Sequence, residues 1–277
     1  MPAAARGKLK TDSHAPKTGR GARQREFDSY LEVSQQPLHV LIFLLPLVIL
    51  YELGATLFLT GGEPGAIESI RAYRLLAEFF HAFGVGGIYL PGIARVVVLL
   101  VWHLLRRDSW RVRWPALVAM LAESMFWTAP LLVLGQMIGS VIRSAQAHAA
   151  APVAIALAAA PSITDLSWPA RATLAVGAGL YEELLFRFVA ITAIHFVAVD
   201  LLTMKDHVGK VVAVVLAAAA FALYHDVALD PGSVDFPRLA FYFAAGIYFG
   251  VIFALRGFGV VVAVHVIYDL VVLLLAN

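Results

Sequence analysis

Glu182 and Glu183 stand side by side, and Arg187 follows four residues after the second of them. His225 closes the next apolar stretch, and the last apolar stretch carries His265 and Asp269, again four apart. These side chains can move protons: a poorly solvated carboxylate is a competent general base for water, and an imidazole can take or return the proton. Helix geometry sorts them, because residues four apart share a face while adjacent residues diverge by about 100°. Glu183 can therefore pair with Arg187, which neutralises both and fixes the rotation of the helix. Glu182 points elsewhere and is free to serve a site on a neighbouring helix. His265 and Asp269 share a face of the last helix, so two such faces and His225 could converge on one polar cavity.

The setting of these groups is apolar. Of 277 residues 61% are hydrophobic and 14% charged, with a mean hydropathy of +0.81; a soluble domain is apolar over roughly half of its residues. Lipid is the solvent for most of the chain. An ionisable side chain at the centre of a bilayer costs about 2.5–3.5 kcal/mol on insertion scales, so each one needs a reason to be there. The chain has no cysteine, which excludes disulfides, thiolate nucleophiles and cysteine-based zinc sites. The net charge of +2 points to no nucleic-acid partner, because the basic residues gather in the N-terminal tail and one loop.

The elements that must position the site are helices. Residues 1–36 are polar and basic and read as a disordered cytoplasmic arm. Residues 37–277 read as one transmembrane domain, an all-α polytopic bundle whose catalytic helices lie in 165–277. Leu38 to Thr60 is too long for the apolar region of a signal peptide and reads as the first crossing. Further crossings are expected near 85–106, 115–141, 170–199, 209–225, 238–256 and 259–276, which makes about seven to eight spans, with the Ala-rich stretch Ser144 to Pro161 and its two prolines read as a re-entrant or interfacial piece rather than a span. Basic residues near span ends, with Arg106, Arg107, Arg111 and Arg113 in one loop, Lys205 and Lys210 in the next and Arg256 in the last, place the N-terminus in the cytoplasm. Arg71, Arg74 and Arg143 depart from that rule. Glu52, Arg95 and Glu123 carry no motif and read as snorkelling or paired helix-packing groups, while Gly246 and Gly250 form a small-x-x-x-small pair that admits a neighbouring backbone.

Three short patterns occur in order on separate apolar helices: Glu182-Glu183-Leu184-Leu185-Phe186-Arg187, Phe221-Ala222-Leu223-Tyr224-His225 and His265-Val266-Ile267-Tyr268-Asp269. Together they resemble the CAAX protease and bacteriocin-processing family of intramembrane proteases, related to the Ras-converting CAAX endoprotease. The resemblance spans about residues 165–277. It implies a membrane-anchored protein or peptide as substrate and peptide hydrolysis by a water that Glu182 activates with the help of His225. Glu183 and Arg187 are then supporting groups, and His265 and Asp269 stabilise the tetrahedral oxyanion, a role worth roughly 3–4 kcal/mol per donor elsewhere. The third pattern more often ends in Asn, whose amide can donate a hydrogen bond; Asp269 can do so only when protonated.

No cofactor is required by this scheme. A zinc-dependent version would draw its ligands from His225, His265, Asp269 and Glu182, but the chain has no His-Glu-x-x-His helix, which favours the metal-free form. A proton- or ion-coupled transporter also places Glu, His and Asp inside the membrane. Transporters commonly show paired halves, and no matching motif occurs in the first half here. A non-catalytic relative acting by binding alone would have no need to retain every motif residue. The Ala-, Arg- and Gly-rich composition suggests a bacterial inner (plasma) membrane.

Overall fold

The computed structural model describes residues 30–59, 90–107, 110–148, 166–225, 227–230 and 233–275. Most of the basic arm, the loop with Arg71 and Arg74, and all but the start of the Ser144–Pro161 stretch lie outside the described residues. Within them the chain is helical: α1 (Pro37–Gly54, carried to Leu59 by a π-helical turn), α2 (Leu90–Arg106), α3 (Trp114–His148), α4 (Trp168–Glu183, continuing unbroken to Leu201), α5 (Asp206–Tyr224), α6 (Phe236–Arg256) and α7 (Phe258–Leu275). A two-stranded antiparallel hairpin, β1 (Ala228–Asp230) and β2 (Ser233–Val234), links α5 to α6. No sequence signal had suggested it.

Prolines start the helices. Each of α1, α4 and α6 has a proline in its first turn, where the missing N–H has no intrahelical partner to lose. Asp235 adds a side-chain cap to α6 by accepting the backbone N–H of Arg238 at 3.0 Å. Gly257, at φ 81°, supplies the left-handed residue that ends α6 and lets α7 begin at once.

Five segments are long and apolar enough to cross a membrane: Pro37–Leu59, Trp114–Ser140, Trp168–Leu201, Asp206–Tyr224 and Phe236–Arg256. The chain is a multi-pass membrane protein. Apolar helices also occur at Val96–Leu105 and Phe258–Leu274, where crossings were expected, but they are shorter. A helix of about 17 residues rises roughly 26 Å, a little less than the hydrocarbon core of about 30 Å, which is why length alone does not count α7 as a span.

In lipid, helices gain little from hiding apolar surface and associate through close packing, so small residues mark the tightest contacts. Gly179 on α4 is one: a Cβ there would lie 2.5 Å from Val266 Cγ2 and 2.9 Å from the Val266 backbone nitrogen on α7. Gly246 on α6 is another, with a Cβ position 2.9 Å from Ala218 Cα on α5. These two approaches join α4 to α7 and α5 to α6.

Residues 30–36, read from sequence as part of the arm, are folded onto the bundle. Residues 30–34 are helical, Val33 and Ser34 are buried, and Gln35 Nε2 donates to the Leu255 carbonyl at 3.1 Å. Arg256, which sequence places in an inner loop, is buried too. It pairs with Glu123 through Nε and, at 2.8 Å, through Nη2, and it donates to Ser34 Oγ at 3.1 Å. Tyr30 donates to the same Glu123 carboxylate, and burial together with that bond holds its phenol above the ordinary tyrosine range. The apolar environment explains the arrangement: a buried guanidinium needs a carboxylate and every available acceptor. Glu123 is thus a paired packing group, as its lack of a motif suggested.

Gly179→Ala tests the α4–α7 approach. The added methyl meets backbone, which cannot rotate away, so the thermal midpoint should fall by the equivalent of about 1–3 kcal/mol. An unchanged midpoint for Gly179→Ala would show that the two helices are free to separate.

Candidate active site

The site begins where α4 changes its winding. From Leu184 to Ile191 the helix is π-helical, directly after Glu182 and Glu183, in a run with no glycine or proline to announce it. Such widenings occur frequently at functional sites because they re-aim side chains without breaking the helix. Glu183 still reaches Arg187, with Oε1 3.0 Å from Nη1, and both are buried to within 1% of full burial.

Glu183 has a second partner that its spacing could not reveal. The same Oε1 lies 2.7 Å from His265 Nδ1 on α7. A carboxylate beside a guanidinium accepts hydrogen bonds, so Nδ1 carries the proton and donates. The other ring nitrogen, Nε2, lies 3.4 Å from Asp269 Oδ2 and 3.9 Å from Glu182 Oε2. Glu183 therefore orients His265 as well as neutralising Arg187.

His225 follows the last residue of α5, and its Nδ1 lies 2.8 Å from the Phe221 carbonyl oxygen. A carbonyl only accepts, so Nδ1 donates; in the neutral ring Nε2 is left as a lone-pair acceptor. That nitrogen lies 3.7 Å from Glu182 Oε2. All six residues singled out from sequence thus come together from α4, α7 and the end of α5. Glu182 and His265 are 7% and 5% exposed, whereas the side chains of His225 and Asp269 retain 19% and 20%, so the latter two sit nearer the opening.

A cavity of about 340 Å³ opens onto these groups, with Leu131, Leu174, Phe241, Ala245 and Val272 among its apolar walls. Two aromatic residues that sequence reading passed over complete it. Tyr242 stacks on His225 with ring centroids 3.9 Å apart, and Phe249 stacks on His265 at 4.7 Å. Phe221 packs where expected, its ring 4.3 Å from the Arg187 guanidinium. For a metal the fit is poor: among the described residues no group of three or more His, Asp or Glu side chains has the geometry to hold an ion, so the set His225, His265, Asp269 and Glu182 is not assembled as ligands.

Fold and site define a class: a helical multi-pass membrane protein with a largely buried carboxylate–imidazole centre that opens onto a mostly apolar cavity. Residues 164–271 match the family described as type II CAAX prenyl endopeptidase Rce1-like, so this part of the chain is similar to that family. The family is one of proteases acting on protein substrates, and the matched residues include all six site residues. No curated protein and no solved structure matches the chain.

Arg187→Met should destabilise the protein by about 3–5 kcal/mol, because it leaves a buried carboxylate without its cation. The double variant Arg187→Met with Glu183→Gln should recover part of that loss. Denaturant titration in detergent measures both; equal stability of the single variant and wild type would remove the pair from the structural account.

Proposed function

We propose that the chain is an intramembrane endopeptidase that cleaves a peptide bond in a membrane-proximal or C-terminal segment of a membrane-anchored protein or peptide, with Glu182 activating the attacking water. The observation that carries this reading is the position of Glu182 Oε2, 3.7 Å from His225 Nε2 and 3.9 Å from His265 Nε2. Both separations exceed direct hydrogen-bond reach and suit groups bridged by a small molecule such as water. A water held there would have one carboxylate and one imidazole acceptor to receive its protons.

The steps balance without a further reactant. Glu182 takes a proton from the water as its oxygen attacks the carbonyl carbon, and the carbonyl π electrons move to oxygen. His265 and Asp269 face the position where that oxyanion forms. Because Nδ1–H is committed to Glu183, one proton must lie between His265 Nε2 and Asp269 Oδ2 for them to bond, and it is the natural donor to the oxyanion. Collapse of the tetrahedral intermediate breaks the C–N bond, and the proton taken by Glu182, directly or through His225 Nε2, passes to the leaving amine.

In this reading the apolar walls exclude bulk water and receive uncharged substrate side chains, and substrate reaches the site from the bilayer or from one aqueous face. The distribution of basic residues supports a cytoplasmic N-terminus, and the composition supports a bacterial plasma membrane. The shorter apolar helices α2 and α7 then cross beside the five long ones, giving seven crossings.

Reconstituted protein offered membrane-anchored peptides should cleave them, and Glu182→Gln should lower kcat by at least about a thousandfold with folding intact. His225→Ala should lose about a hundredfold or more. Activity that survives exhaustive chelation supports the metal-free form, and activity lost to chelator and restored by zinc replaces it. Cleavage by Glu182→Gln at the wild-type rate removes the mechanism, and ion flux without cleavage makes the protein a transporter.

Asp269 offers a separate test. Asn at this position supplies an amide donor and Leu supplies none, so Asp269→Asn should keep substantially more kcat than Asp269→Leu. A gap of about tenfold or more is expected from the loss of one oxyanion donor. Equal activity in the two variants would take Asp269 out of the reaction.

A further inference from the structure

The helix α6 contributes none of the motif residues, yet it touches both imidazoles. Tyr242 lies face to face on His225, with centroids 3.9 Å apart and planes inclined by 20°. Phe249 lies in the same way on His265, at 4.7 Å and 18°. The two rings are seven residues apart, two turns of one helix, and therefore project from the same face. Ala245 lies between them on that face, buried and small, and leaves the cavity open. Phe249 also packs with the Arg187 guanidinium 5.0 Å from its ring centroid.

The opposite relation of α6 to its neighbour is equally constrained. Gly246 sits against the Ala218 backbone and Gly250 against Val214, where a Cβ would come within 2.8 Å of Val214 Cγ1. Both partners are on α5, the helix that ends in His225. The small-residue pair thus fixes the distance of α6 from α5, and the ring pair then fixes the imidazoles relative to α6.

We infer that α6 is the template of the site: Tyr242 and Phe249 are positioning residues that hold the ring planes of His225 and His265 so that both Nε2 atoms face Glu182. Neither aromatic ring takes part in proton transfer. The need for them follows from the hydrogen bonding, because the one short hydrogen bond to each imidazole is made through Nδ1, by the Phe221 carbonyl for His225 and by Glu183 for His265, whose Nε2 makes only a long 3.4 Å approach to Asp269. One hydrogen bond leaves the ring free to swing about it, and a stacked face removes that freedom. This role rests on the protease reading for its consequence, but not for its geometry.

The experiment therefore has two readouts. With histidine rings isotopically labelled and His225 assigned by its absence in His225→Gln, the stacked ring protons should resonate upfield in the ring current of Tyr242. The shift should vanish in Tyr242→Leu and persist in Tyr242→Phe. Cleavage of a membrane-anchored peptide should follow the same order: Tyr242→Leu lowers kcat by about ten- to a hundredfold with KM nearly unchanged, as expected of a misplaced catalytic group, and Tyr242→Phe recovers most of it. Phe249→Leu should behave as Tyr242→Leu does, with His265 as the reporter.

A His225 resonance indifferent to Tyr242→Leu overturns the template outright. Shifts that vanish while kcat stays at the wild-type value overturn the positioning role, and so does an equal loss in Tyr242→Phe and Tyr242→Leu. A wild-type protein that cleaves nothing removes the protease reading and the catalytic role with it, while the ring-current shifts still decide whether α6 holds the imidazoles.

Discussion

The carboxylate of Glu183 is the point on which the site turns. It is fully buried and meets Arg187 on its own helix and His265 on α7 through the same oxygen. A charge so placed is tolerated only when paired and hydrogen-bonded, since its desolvation is costly. The requirement is reciprocal: Arg187 needs Glu183 for charge, and His265 needs it as the acceptor that decides which ring nitrogen holds the proton. Local neutralisation within α4 thereby also sets the tautomer of a residue on another helix. On the proposed reading, that is how Glu183 supports a reaction without touching the reacting atoms.

Such a node can form only where backbones come close. Glu183 reaches His265 because Gly179, one turn earlier on α4, admits Val266, the residue next to His265 on α7. The same logic operates between α5 and α6, where Gly246 and Gly250 admit Ala218 and Val214. In a bilayer the apolar surfaces of helices gain little by meeting each other, so close packing and buried polar contacts must supply the specificity. Glycines and ionisable groups therefore act as a pair of devices. The first permits an approach short enough for the second to bond.

What the sequence made legible was local. Four-residue spacing on a helix is a geometric fact, so the Glu183–Arg187 pair and the shared face of His265 and Asp269 could be read directly, as could the helices from their hydropathy. Contacts between distant segments left no such trace. The Glu183–His265 bond joins positions 82 residues apart, and the Glu123–Arg256 pair positions 133 apart. Arg256 looked like a loop cation because it ends a span, and residues 30–36 looked like tail because they are polar; their partners lie on α3 and α6, which no periodicity connects. The π-helical winding after Glu183 has no breaker residue to betray it. Aromatic residues in a membrane helix are common, so nothing distinguished Tyr242 and Phe249 from packing residues until the imidazoles were seen against them.

Charge accounting explains why the site can sit in lipid at all. Glu183 and Arg187 cancel, which leaves Glu182 and Asp269 to share their surroundings with His225 and His265. With Nδ1 of each imidazole donating to an acceptor outside the cavity, the groups facing inward are two carboxyls and two Nε2 atoms, and these can hydrogen-bond among themselves only by sharing protons. Passing a proton between neighbouring members of such a cluster keeps the charge beside a polar partner rather than isolating it in the low-dielectric interior. A site of this composition is suited to chemistry in which a proton is taken up and returned within one turnover, as in hydrolysis. Beyond the cluster the cavity walls are apolar except for Tyr242 and Tyr268, so among the described lining residues little is polar enough to carry a proton further.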